Sequence, residues 1–253
     1  MTENTKEESV AESFISHLIE LRDRIVRAGA AVLIVFVCMM PWSNTIYDIL
    51  AHPMIAALPA GSKMIATGVL TPFMIPLKVT LMSAFVITLP WVLYQAWAFV
   101  APGLYAHEKR LIAPLVVSST ALFMAGIAFC YFFVFRVVFK VVLQYAPESI
   151  NVAPDIESYF DFALTMFICF GLTFEVPIVV VVLVRMGLIS VEKLREFRPY
   201  IVVGAFVIAA IVTPPDAASM LMLAVPLWLL FEVGLLVAPL FVKLTTAPEE
   251  ESA

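Results

Sequence analysis

Three carboxylates are the residues of this chain whose positions could do chemistry. Glu175 lies inside the run Phe162–Val184, 23 residues in which it is the single charge. As a helix rising about 1.5 Å per residue, such a run crosses a hydrocarbon layer. A carboxylate at that depth costs roughly 3 kcal/mol on insertion scales, so it faces protein or a wet cavity and marks a functional position by default. Pro177, two residues on, cannot donate to the carbonyl of Thr173 and tends to bend the helix, which points to a docking groove. The competing reading is that Glu175 bonds a neighbouring helix and fixes packing. Glu20 and Glu108 sit on segments predicted to share one side of the membrane, beside aromatic residues. A carboxylate pair of that kind suits guanidinium groups, which carboxylates bind through paired charge-assisted hydrogen bonds. The simpler alternative is local pairing, Glu20 with Arg24 at i,i+4 and Glu108 with Lys109 and Arg110.

The elements that must position these residues are membrane helices. The chain is 62% hydrophobic and 14% charged with mean hydropathy +1.01, whereas soluble domains carry about 25% charged residues. Six runs qualify as spans: about Ala28–Trp42, Phe73–Val100, Leu111–Phe135, Phe162–Val184, Tyr200–Val212 and Ala217–Val237. The fifth is short, and the turn Thr213-Pro214-Pro215-Asp216 makes the last two antiparallel neighbours, with Asp216 as an N-cap. An even number of spans puts both termini on one side. Eleven Lys and Arg residues fall on that side and four on the other, so the termini are predicted to be cytoplasmic. Ser13–Arg27 is expected to be an amphipathic helix, capped by Ser13, with Phe14, Leu18, Leu21 and Ile25 on one face. The outer loop Ser43–Thr71 is expected to be broken by Pro53, Pro59 and Gly61 and to hold a short interfacial helix. Thr71 and Pro72 should open the second span, with Pro90 bending it and Lys78 snorkelling outward. Arg136, Lys140 and Gln144 recur every four residues, which predicts a separate cap helix along the outer surface. Cys38, Cys130 and Cys169 are expected to be buried and unpaired. Glu232 is expected to snorkel.

Five ordered motifs stand out: His17-Leu18-Ile19-Glu20-Leu21-Arg22, Tyr94 through Leu104, His107-Glu108-Lys109-Arg110, Phe174-Glu175-Val176-Pro177 and Thr213-Pro214-Pro215-Asp216. Together they resemble the TatC family, the multispanning receptor subunit of the twin-arginine protein translocase. The resemblance runs from about residue 13 to 240. It implies an all-α membrane protein, six helices in a concave, glove-like bundle, in a bacterial inner membrane. It also implies recognition of twin-arginine signal peptides through Glu20 and Glu108, with Leu21, Arg22, Tyr94 and Phe99 around them. Export of folded proteins with TatA and TatB partners, driven by the protonmotive force, comes from the same likeness, as does assembly of several copies. Glu175, with Thr213, Pro214 and Asp216, would dock a small single-span partner. Pro53, Asp155 and Pro177 would serve translocation or structure. The division implied is a cytoplasmic amino-terminal segment (1–27), a six-helix membrane domain (28–240) and a disordered cytoplasmic tail (241–253).

Other classes are less well supported by the residues. A proton-coupled transporter using Glu175 and Glu232 as a relay would be expected to show broken helices in two inverted halves, which are not evident. An intramembrane hydrolase would need a nucleophile or metal motif, but there is no HExxH or GxSxG, and His17, His52 and His107 lie outside the predicted spans. No Walker loop is present, so no nucleotide cofactor is expected, and neither a metal nor nucleic acid.

Overall fold

The computed structural model describes residues 2–58, 63–100, 112–144, 153–212 and 217–242. Among these, the helices are α1 (Thr2–Met39), α2 (Ser43–Ala57), α3 (Thr71–Val100), α4 (Ile112–Phe129), α5 (Phe135–Gln144), α6 (Ile156–Arg185), α7 (Val191–Glu196), α8 (Arg198–Val212) and α9 (Ala217–Val242). A 3-10 turn at Met40–Trp42 joins α1 to α2, and a π-helical segment at Cys130–Val134 joins α4 to α5. Five stretches are long and apolar enough to cross a membrane: Ile15–Ala56, Thr71–Val100, Ile112–Lys140, Ile156–Arg185 and Met220–Pro239. The fifth predicted span is α8, 15 residues long and short as expected, whereas the sixth, also expected to be short, is α9, 26 residues long. The protein is therefore a multi-pass, all-helical membrane protein.

Packing follows the apolar faces. The central helix α6 packs against α9 and α4, α3 lies between α1 and α4, and α8 lies along α9. One core cluster gathers Val79, Val134, Phe135, Phe160, Met166, Phe170 and Leu223, and a second gathers Val180, Val184, Leu194, Phe231 and Leu235 around the end of α6. Large residues such as Leu33, Val37, Phe132, Val203 and Ile211 remain exposed, as lipid-facing positions would. Small residues allow the closest approaches. A Cβ on Gly234 would stand 2.8 Å from the Cα of Pro177, so α9 rests on α6 at its proline. Gly234→Ala is therefore expected to lower the thermal midpoint in detergent, at a cost of about 1–3 kcal/mol. Gly204→Ala, with nothing within 4 Å, should leave the midpoint unchanged.

Several expectations are corrected. Helix α1 starts at Thr2, so Ser13 lies within it and not at its start. Pro53 sits inside α2 and does not break it. The cap of α3 is Leu70, whose carbonyl accepts from Phe73 and Met74 N–H, while Thr71 Oγ1 donates to Glu157 Oε2 at 2.9 Å. Arg136 and Lys140 lie on α5, which continues the third span through the π segment, buries Phe135, Val138 and Phe139, and is no separate cap. Lys78 pairs with Asp161 at 2.7 Å in place of snorkelling alone. Glu232 likewise pairs with Arg198 at 2.6 Å, joining α8 to α9. Cys38 is exposed, unlike Cys130.

Asp155 ties two segments together. It caps α6, accepting from Ser158 N–H at 3.0 Å, and its other oxygen accepts from Thr67 Oγ1 at 2.9 Å. On either side of it, Ile65 N–H donates to Pro154 O at 3.0 Å and Ile65 O accepts from Ile156 N–H at 2.8 Å. The Ser158 N–H and then the Thr67 hydroxyl hold its carboxyl below the usual carboxylate range. A depressed folded pKa gives stability that is present above the unfolded value, about 3.9, and is lost as pH falls through the folded value. Asp155→Ala should therefore lower the thermal midpoint at neutral pH. Midpoints measured down a pH series should converge in the acid range below the unfolded pKa.

Candidate recognition face and buried carboxylate groove

The last turns of α3 hold both halves of the site. On one side α1 lies along them. His17 stacks on Phe99 with ring centroids 4.3 Å apart and planes at 17°. One heptad further along α1, Arg24 Nη1 donates to the buried Gln95 Oε1 at 3.4 Å. The same guanidinium holds Glu20: Nε and Nη2 both donate to Oε1, at 2.9 and 2.6 Å. The i,i+4 pair expected from the sequence thus forms, with Glu20 37% and Arg24 21% exposed. Glu20 Oε2 takes no part in it. Leu21 is half-buried, Arg22 is exposed and pairs with Asp23 at 2.8 Å, and Ile19, Asp23, Arg24 and Arg27 line an open hollow of about 320 Å³ beside Glu20. Tyr94 is exposed and stacks on Trp91. Glu108 lies outside the described residues, as do Thr213, Pro214 and Asp216.

On its other side α3 faces α6. Between them lies a cavity of about 380 Å³ walled by Leu93, Trp97, Val100, Val179 and Leu183, all apolar or aromatic, with Glu175 as the one ionisable side chain among the described residues that line it. Glu175 is 7% exposed, and neither carboxylate oxygen has a partner in hydrogen-bond geometry among the described residues. The Ser119 hydroxyl is close enough to interact with it, and Ser119 Oγ accepts from Trp97 Nε1 at 2.9 Å. For the competing reading, a bond from Glu175 to a neighbouring helix, the structure offers the nearby Ser119 hydroxyl on α4 but no bond in hydrogen-bond geometry among the described residues. An under-satisfied buried acceptor lining a cavity is an arrangement for receiving a donor from elsewhere. Pro177 and Glu175 are both buried on α6.

A family profile described as "Sec-independent protein translocase protein (TatC)" matches residues 16–226. The chain belongs to the TatC family. The TatC protein of Haemophilus influenzae is 50% identical over 228 residues, covering 90% of this chain and 89% of the relative. The Escherichia coli K12 protein is 46% identical over 91% of this chain and 90% of its own length. A crystal structure described as that of the twin-arginine translocase receptor TatC superposes with a TM-score of 0.78 at 37% identity, covering 88% of this chain and 98% of the other. As a TatC-family member, this chain is a component of the Sec-independent translocase, a protein-transport machine.

The relay reading fares worse. Glu232 is engaged by Arg198, so Glu175 and Glu232 are not presented as two free acids. Sequence reasoning did not single out Gln95 or Ser119. Gln95 had a signal, a polar residue inside an aromatic belt, whereas a lone serine in the apolar run of α4 has none.

Proposed function

We propose that this chain is the signal-peptide receptor of a twin-arginine translocase and that it nucleates the export of folded proteins across a bacterial inner membrane. Its amino-terminal helix, α3 end and second cytoplasmic loop form the recognition face on the cytoplasmic side, where both termini lie. Glu20 and Glu108 receive the two guanidinium groups, while Leu21, Arg22, Tyr94 and Phe99 shape the surrounding surface. The cavity at Glu175 docks a single-span partner of the TatA or TatB type, with Thr213, Pro214 and Asp216 on the adjoining turn, and several copies assemble in the working complex. Pro53, Asp155 and Pro177 keep the helices in register for transport. The segments 1–27, 28–240 and 241–253 divide into recognition helix, membrane domain and tail. The chain carries no chemistry of its own in this reading, and the protonmotive force supplies the energy.

The observation that carries this reading is Glu175, a buried carboxylate that lacks a full partner within the chain and lines a cavity next to the α3 turns that face α1. The test is export in cells lacking their own TatC. The chain should restore export of a folded reporter behind a twin-arginine leader, not behind a twin-lysine one, and an uncoupler should stop it. Export of both leaders alike, or export that survives the uncoupler, would overturn the reading.

A further inference from the structure

Pro53 has no N–H to give the carbonyl four residues back, so the oxygen of Ile49 loses its helical donor inside α2. Tyr131 supplies one: its Oη donates to Ile49 O at 2.9 Å. One residue on, Tyr159 Oη donates to Leu50 O at 2.8 Å. The two hydroxyls come from different helices, Tyr131 from the π segment and Tyr159 from the first turn of α6. A π segment shifts helical register locally and is found disproportionately at functional positions. Helix α2 buries Ala51 and Met54 in the core, but on its adjoining side Ile49, Leu50 and Tyr131 border an apolar cavity of about 340 Å³. Where dispersion contacts are missing, directional bonds in a low-dielectric setting carry more of the positioning.

We infer that Tyr131 and Tyr159 are positioning residues that hold α2 on the bundle for transport, and that Pro53 acts by leaving the Ile49 carbonyl open for Tyr131. The inference rests on the transport role but not on peptide recognition, since neither tyrosine lies near Glu20. The test is a mutant cycle in the full chain with two readouts, export rate and affinity for a twin-arginine peptide. Tyr131→Phe should slow export about 5-fold, the worth of one hydrogen bond, and Tyr159→Phe should do likewise, with peptide affinity unchanged within 2-fold. Pro53→Ala restores an N–H that competes for Ile49 O, so it should slow export similarly, and adding Tyr131→Phe should cost nothing more. Additive losses in the double variant would overturn the inference, as would unchanged export in Tyr131→Phe or peptide binding that falls together with export. Failure of the receptor reading would show separately, as a wild-type chain indifferent to the paired arginines.

Discussion

Glu175→Ala is expected to weaken association with the single-span partner about 10-fold or more while leaving the isolated chain as stable as before or more so. The two effects have opposite signs for one physical reason. In the isolated chain the carboxylate is buried without a full set of partners, and an unsatisfied buried polar group costs about 1–3 kcal/mol. Removing it relieves that cost, against which stands the space left by one methylene and the carboxyl group, a small loss in a site that already borders a cavity. With the partner seated, a donor from its helix meets the carboxyl, and losing a bond of about 1.5 kcal/mol to such a group corresponds to roughly a factor of ten. Glu175→Gln keeps an acceptor and the side-chain volume, so it should retain most of the association. Copurification of the partner and thermal midpoints for the three proteins check this together. A midpoint that drops in Glu175→Ala in step with partner loss would show that the acid serves packing.

Glu20→Ala should reduce twin-arginine peptide affinity by at least 10-fold, and Arg24→Gln should raise it by about 5-fold. Arg24 converges two donors on Glu20 Oε1 and rests its third nitrogen on Gln95. A peptide guanidinium needs both carboxylate oxygens for a paired fork, so it must displace Arg24, which Gln95 can still hold. An exposed i,i+4 pair is worth about 0.3–0.5 kcal/mol; with Arg24 21% exposed, about 1 kcal/mol is reasonable, or roughly 5-fold. Titrating labelled peptide against the two variants and the unaltered chain decides it. Lower affinity in Arg24→Gln would mean that Arg24 orients Glu20 instead of occupying it.

Much of this is legible in the sequence. Membrane spans follow from long apolar runs because hydrocarbon forces the backbone to satisfy itself within a helix, and the short α8 was visible as 13 apolar residues between Tyr200 and the double proline. Glu175 stood out for the same reason, a charge where transfer is expensive. Helix junctions were harder. Pro53 looked like a breaker because proline removes a donor, but tyrosine hydroxyls from distant helices satisfy the freed and neighbouring carbonyls, and no local pattern encodes that. Arg136, Lys140 and Gln144 looked like a separate surface helix because period-four polarity says nothing about whether a π segment joins it to the helix before. Lys78 and Glu232 were read alone, although their partners Asp161 and Arg198 lie 83 and 34 residues away.

The central claim is that paired carboxylates on this chain recognise paired arginines. Its most direct test is the affinity of the purified chain for a twin-arginine signal peptide and for the same peptide with two lysines, in the unaltered protein, Glu20→Ala and Glu108→Ala. The account predicts at least 10-fold preference for arginine in the unaltered chain and loss of that preference in each variant. Equal affinity for the two peptides, unmoved by either substitution, would contradict it and leave Glu20 and Glu108 as ordinary surface ion pairs.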